Sequence, residues 1–222
     1  MRTPNISAFL ICTFSLFVIT ALSAPGCALL SKNQQDPVRF FSLVAAPGRP
    51  AASEAPKEGA ELRLGHVTGA THLEERLIYR DSAYEINYYR DLRWTEPPEL
   101  CLKRWLARVL FEERGLTQVV GGASPTLDVQ LTAFDEILSP NHLARAKVIV
   151  KLHDEHLVLW EETVTVERPI IEKKGDNQAV AAVEALGAAL QAVVDLIADR
   201  VELELQKPAN ASNAVDKVAP PN

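Results

Sequence analysis

Residues 127–166, LDVQLTAFDEILSPNHLARAKVIVKLHDEHLVLWEETVTV, decide the fold. Leu127, Val129, Leu131 and Ala133 alternate with Asp128, Gln130 and Thr132. Ala146, Val148, Val150 and Leu152 alternate with Lys147 and Lys151. Val158, Trp160, Val164 and Val166 continue the pattern past a polar break at 153–156. A period of two sends the apolar set to one face of a strand and the polar set to the other. Three strands in succession are therefore predicted, the last two forming an antiparallel hairpin.

Working outward, residues 38–44 (VRFFSLV) and 61–67 read as strands, and the Pro, Ala, Gly and charged residues of 45–59 as a loop. Residues 73–89 read as two short strands around a turn, with Leu77, Ile78 and Tyr79 on one and Tyr84, Ile86 and Tyr88 sharing a face of the other. Thr95 is a candidate helix N-cap, with Pro97 and Pro98 in the first turn. Leu102, Leu106 and Val109 recur at helical spacing, Leu110 widens the stripe, and Gly115 ends it. A short strand fits at 118–120. Residues 177–205 form a long helix whose stripe is Val180, Val183, Leu190, Val194, Ile197 and Val201. Such a face needs a sheet or another helix to cover it. The order strands, helix, strands, helix predicts an α/β fold, with α+β as the neighbouring class. The expectation is a single mixed, largely antiparallel sheet covered by helices.

The N-terminus stands apart from this core. Arg2 precedes an apolar run, residues 8–22 (AFLICTFSLFVITAL), followed by the small residues Ser23, Ala24, Pro25 and Gly26. The run is short for a membrane span of roughly 20 residues, so residues 1–26 read as a cleaved signal peptide, against the alternative of an uncleaved anchor. Cys27, directly after small residues, resembles the acylated cysteine of the bacterial lipobox, although Ala24 stands where that motif favours Leu. The alternative is an ordinary cleavage site and a structural thiol. Of the other two cysteines, Cys12 leaves with the signal and Cys101 falls in the first helix. Residues 27–37 read as a tether, 38–206 as the folded domain and 207–222 as a flexible tail. Ala28 after Cys27, rather than Asp, favours the outer over the inner membrane by the same resemblance, on the periplasmic face.

Charge and motif content narrow the function. The chain carries a net −6, and losing residues 1–26 removes one positive charge. An acidic domain without a Lys/Arg cluster is not a nucleic-acid binder. Gly121-Gly122 lacks the Lys-Ser/Thr of a phosphate loop and reads as a turn. No Gly-x-Ser-x-Gly elbow is present. His153, Asp154, Glu155 and His156 lie where a hairpin turn is expected, so a solvated turn outweighs a metal site. Cys101 lacks an evident base and reads as a buried thiol. No catalytic residue, metal or cofactor is expected.

The aromatics at 79–94 carry more. Tyr and Trp bury area while keeping a polar handle, so they are common at interfaces. Tyr84, Tyr88, Tyr89 and Trp94 are candidate partner-binding residues. The alternative is core packing, which is favoured for Trp94 because it precedes the proline pair of a helix start.

Several segments in order resemble the ABC-type transport auxiliary lipoproteins. They are Phe41-Ser42-Leu43, then Leu77-Ile78-Tyr79-Arg80, then Tyr-x-x-x-x-Trp-x-x-Pro-Pro at 89–98. Leu127, Val129, Leu131 and Phe134-Asp135 follow, then the Ala-rich stretch around Ala185 to Leu190. Phe41 for the family's Tyr, and Thr95 for its commoner Ala, are departures that leave the cargo open. The resemblance spans about 38–205 and implies a non-enzymatic partner of an MCE-domain protein with its ABC permease and ATPase. Such systems move lipids or other hydrophobic molecules across the envelope. A homo-oligomer is compatible with it. A periplasmic lipid-binding carrier and a structural envelope scaffold are the rival readings.

Overall fold

Three long strands form where the alternation predicts them: β6 Thr126–Ile137, β7 Leu143–His153 and β8 Val158–Pro169. They pair antiparallel in sequence order. The computed structural model describes residues 37–45, 60–171 and 177–215, the last eight by backbone alone. The signal segment, Cys27 and the tether up to residue 36 lie outside the described residues, as do 46–59 and 216–222.

The remaining strands are shorter: β1 Arg39–Phe41, β2 Glu61–Gly69, β3 Arg76–Arg80, β4 Asn87–Trp94 and β5 Thr117–Gln118. β2 and β3 dock end to end on one edge of β6, both parallel to it, along 126–131 and 136–137 respectively. β4 is antiparallel to β3, while β1 is parallel to β4 and β5 to β2. The sheet is thus single, mixed and eight-stranded, with its two longest ladders antiparallel and most of its shorter ones parallel.

Two helices cover one face. α1, Pro98–Ala107, packs on β2 and β6 and continues into a π-helical stretch, Arg108–Glu113. α2, Asn177–Val215, packs on β7 and β8 and touches α1. The stripes are buried as expected: Leu102, Leu106 and Leu110 in one, Leu190, Val194, Ile197 and Val201 in the other. By composition α2 is apolar enough to cross a membrane, with mean hydropathy 1.8 over an 18-residue window within Asn177–Lys207, yet more than half of that window is buried. The uncovered sheet face is polar, carrying Gln130, Lys147, Glu161, Thr163 and Thr165 exposed. This is the one-sided burial expected of an antiparallel sheet.

The structure corrects several local expectations. Pro97, not Thr95, occupies the N-cap, without a side-chain cap bond. Thr95 instead pairs its hydroxyl with that of Ser42 at 2.9 Å. The second strand of the 73–89 hairpin begins at Asn87, leaving Tyr84 in the connection. The helix predicted to end at Gly115 changes to π geometry first, with the Arg114 N–H donating to the Val109 carbonyl; Gly115 (φ 71°) then turns the chain. The C-terminal helix runs past Leu205 to Val215. Finally, β6 bulges between Leu131 and Ala133, so Ala133 lies opposite Lys147 and leaves the apolar face assigned to it.

Candidate partner-docking site

That bulge builds the polar centre of the molecule. An extra residue in one strand reverses the alternation beyond it. Phe134 turns to the core and meets Trp94, ring centroids 5.5 Å apart. Asp135 and Glu136 then point to opposite faces, and each is almost wholly buried, at 1% and 3% exposure. Burying a carboxylate is costly unless it is paired and hydrogen-bonded. Asp135 is held by two guanidiniums: Arg80 Nε donates to Oδ2 at 2.5 Å, and Arg145 donates to Oδ1 and Oδ2 at 3.0 and 2.8 Å. Glu136 accepts from the Tyr89 hydroxyl at 2.7 Å and faces His142 Nε2 at 2.5 Å. Burial first, and the Glu136 carboxylate second, push the Tyr89 phenol well above its ordinary range, so it stays protonated and donates.

These six side chains come from β3, β4, β6, β7 and the β6–β7 connection. They fasten two neighbouring hairpin ends, because Arg80 lies beside Ile137 in the sheet. The four candidate aromatics separate around this fastening. Trp94 is 4% exposed and belongs to the core. Tyr89 is half-buried and also stacks at a tilt on Tyr79, centroids 4.7 Å apart. Tyr88 is half-buried too; its hydroxyl donates to the His72 carbonyl at 3.1 Å and Arg76 sits over its ring. Tyr84 alone of the four is free, 99% exposed in the β3–β4 connection.

The other groups raised by the sequence resolve into local structure. His153 Nε2 lies 3.1 Å from Asp128 Oδ2, on the uncovered face. Asp154 Oδ1 accepts from the backbone N–H groups of His156 and Leu157, both at 2.7 Å, which close the turn and hold its carboxyl below the usual range. Among the described residues no group of three or more His, Cys, Asp or Glu is placed to hold a metal ion. Cys101 is buried and donates to Glu96 Oε1 at 3.1 Å; burial, then Glu96, push the thiol up to about 12. That favours the thiol over the reactive thiolate. Glu96 is gripped by Arg104 through bonds of 3.0 and 2.5 Å, which with the Cys101 bond lower its carboxyl to about 2.

Arg80 and Asp135 fall in segments that resemble the family, but nothing local in the sequence marks Asp135 or Glu136 as buried beyond the break in alternation before them. The available signal was Ala133-Phe134, two consecutive apolar residues that interrupt a strict alternation just before two acids.

An α/β fold with a single mixed sheet, one helix-covered face and no assembled catalytic group among its described residues is the class these features define. Its family follows from the sequence: the profile of the ABC-type transport auxiliary lipoprotein component matches residues 41–198, and the chain belongs to that family. The family is one of transport auxiliaries rather than of enzymes, and membership implies a lipid-anchored location at the cell envelope. Solved structures agree on the fold. Protein XCC0632 from Xanthomonas campestris is 17% identical, with TM-score 0.64 over 78% of this chain and 99% of that one. An uncharacterized protein is 15% identical, with TM-score 0.57 over 75% and 99%. No curated protein is similar enough in sequence to count as a match.

Proposed function

We propose that this lipoprotein is the membrane-tethered docking subunit of an MCE-type ABC transport system. In this reading Cys27 carries the acyl chains. Each buried CH₂ contributes about 0.8 kcal/mol, so several chains make a stable anchor. The anchor sits in the outer membrane, on its periplasmic side. The folded domain docks the MCE-domain protein, whose permease and ATPase supply the energy. Hydrophobic cargo then passes along the partner without this chain performing chemistry.

The observation that carries the reading is the family match over residues 41–198. The geometry adds a candidate contact. Tyr84 is an exposed aromatic presented beside a buried, doubly fastened ionic centre, so the loop that bears it springs from a rigid base. Rigid presentation lowers the ordering cost of binding. Tyr88 and Tyr89 contribute by holding the hairpin, and Trp94 by holding the sheet beneath it.

Crosslinking in intact envelopes, followed by pull-down of the wild type, Cys27→Ser and Tyr84→Ala, tests this. Recovery of an MCE-domain protein by the wild type, reduced in both variants, supports the reading. A folded, membrane-held wild type that recovers no MCE or ABC component overturns it. Loss with Cys27→Ser but not with Tyr84→Ala would move the contact elsewhere on the domain.

A further inference from the structure

Among the described residues, the 12-residue strand β8 pairs only with β7, which leaves its other edge open. A long free edge is a template for another strand unless its side chains forbid pairing. The inner-face residues along this edge are Glu162, Val164, Val166 and Arg168, opposite the buried Val150, Val148, Ala146 and Ala144 of β7. Among the described residues neither Glu162 nor Arg168 has an ion-pair partner. Glu162 accepts the Trp160 indole N–H at 3.0 Å, and Arg168 reaches only the Glu167 carbonyl at 3.3 Å.

We propose that β8 pairs antiparallel with β8 of a second copy of this chain, about a two-fold axis through Thr165. That register sets Glu162 opposite Arg168 of the second copy, Val164 opposite Val166, and Thr163 opposite Glu167, each pair occurring twice. Opposite charges and β-branched pairs facing each other across strands favour pairing. The neighbouring registers lack this match. An axis at Val164 opposes Glu161 to Glu167, and one at Glu162 opposes that residue to itself. Axes at Thr163 or Val166 place Arg168 against a valine.

The helix above the edge agrees with the same axis. Arg168 lies beside Ala181, Ala185 and Ala188 in a groove of ≈ 470 Å³, while Arg200 sits over the Trp160 ring, so α2 runs antiparallel to β8. A two-fold at Thr165 brings the Leu196 level of one helix to the Ala185–Ala188 level of the other. Leu196 is 50% exposed and Ile171, on the groove wall, 77%. A large side chain then faces small ones, with Ile171 beside them. The pairing joins two sheets into one and is independent of the partner proposed for Tyr84.

Disulfide trapping of the full-length protein in membranes tests the register. Residues directly opposite across an antiparallel pair have Cα atoms about 4.5–5.5 Å apart, within disulfide range. Thr165→Cys should therefore form a crosslinked dimer under a mild oxidant. Thr163→Cys, whose opposite residue is Glu167, should not. Sedimentation in detergent tests the charges: Glu162→Arg and Arg168→Glu should each weaken self-association about tenfold, and the double exchange should restore it. Circular dichroism melts establish that each variant is folded. A monomeric wild type, equal trapping at Thr163→Cys, or single exchanges that leave association unchanged would each overturn the proposal. So would failure of the double exchange to restore it.

Discussion

The two halves of the sheet are built in different ways. β6, β7 and β8 are long, each paired with its neighbour in sequence, and apart from local bulges their register follows from alternation. β1 to β5 are short, arrive out of order, and meet largely in parallel pairs, some of only two or three residues. So few ladder bonds hold a strand weakly, and side chains must supply the rest. The Asp135 and Glu136 centre does this where the halves join, tying β3 and β4 to β6 and β7. The comparison shows where a buried ionic centre is used: at a seam that hydrogen-bonded ladders leave short.

The largest effect should come from Asp135→Ala, which strands Arg80 and Arg145 without their carboxylate. Removing one partner of a buried pair costs about 3–5 kcal/mol, read as a lower urea midpoint; a loss below about 1 kcal/mol would mean that the seam is held otherwise. In the ladder half, Leu152→Ala should cost about 3 kcal/mol by leaving a cavity. Hydrogen exchange should separate the two variants: Asp135→Ala frees β3 and β4 amides selectively, whereas Leu152→Ala lowers protection throughout.

Tyr89→Phe keeps the ring contact with Tyr79 but takes a donor from buried Glu136, at about 1–2 kcal/mol. Glu96→Gln sharpens the pH behaviour. The Glu96 carboxyl titrates near 2 in the folded chain against an ordinary 4.5, through Arg104 first and Cys101 second. A depressed carboxyl stabilises above its ordinary value and loses that contribution as pH falls through the folded one. Since Arg104 is more than half exposed, the contribution is about 1 kcal/mol after screening. The wild type should lose that advantage over Glu96→Gln on acidification, in denaturation curves taken either side of the window. The smallest effect is expected for Tyr84→Ala, within about 0.5 kcal/mol in stability.

These differences also mark what could be read from the chain. The ladder half was legible because alternation is local: Leu127 to Leu131 and Ala146 to Leu152 need no knowledge of their neighbours. The stripes of α1 and α2 were legible for the same reason. The other half was not, because a parallel pairing such as Tyr79 with Glu136 joins residues far apart in sequence and leaves no local periodicity. The candidate site mixes the two cases. The proline pair identified Trp94 as interior, but nothing near Tyr89 in sequence announces Glu136. Tyr84, Ile86 and Tyr88 alternate at a two-residue spacing, yet the strand begins only at Asn87.

Because β2 and β3 are docked end to end on β6, residues 70–75 between them are tied at both ends: the Ala70 N–H donates to the Leu131 carbonyl, the Glu75 carbonyl accepts from the Trp94 N–H, and Leu73 between them is buried. Lengthening that connection by one residue must give up one of these contacts. Lengthening β2 itself by one residue turns every side chain beyond the insertion to the opposite face. Chain length is therefore fixed on both sides of the junction, by pairing within β2 and by burial and backbone bonds between β2 and β3.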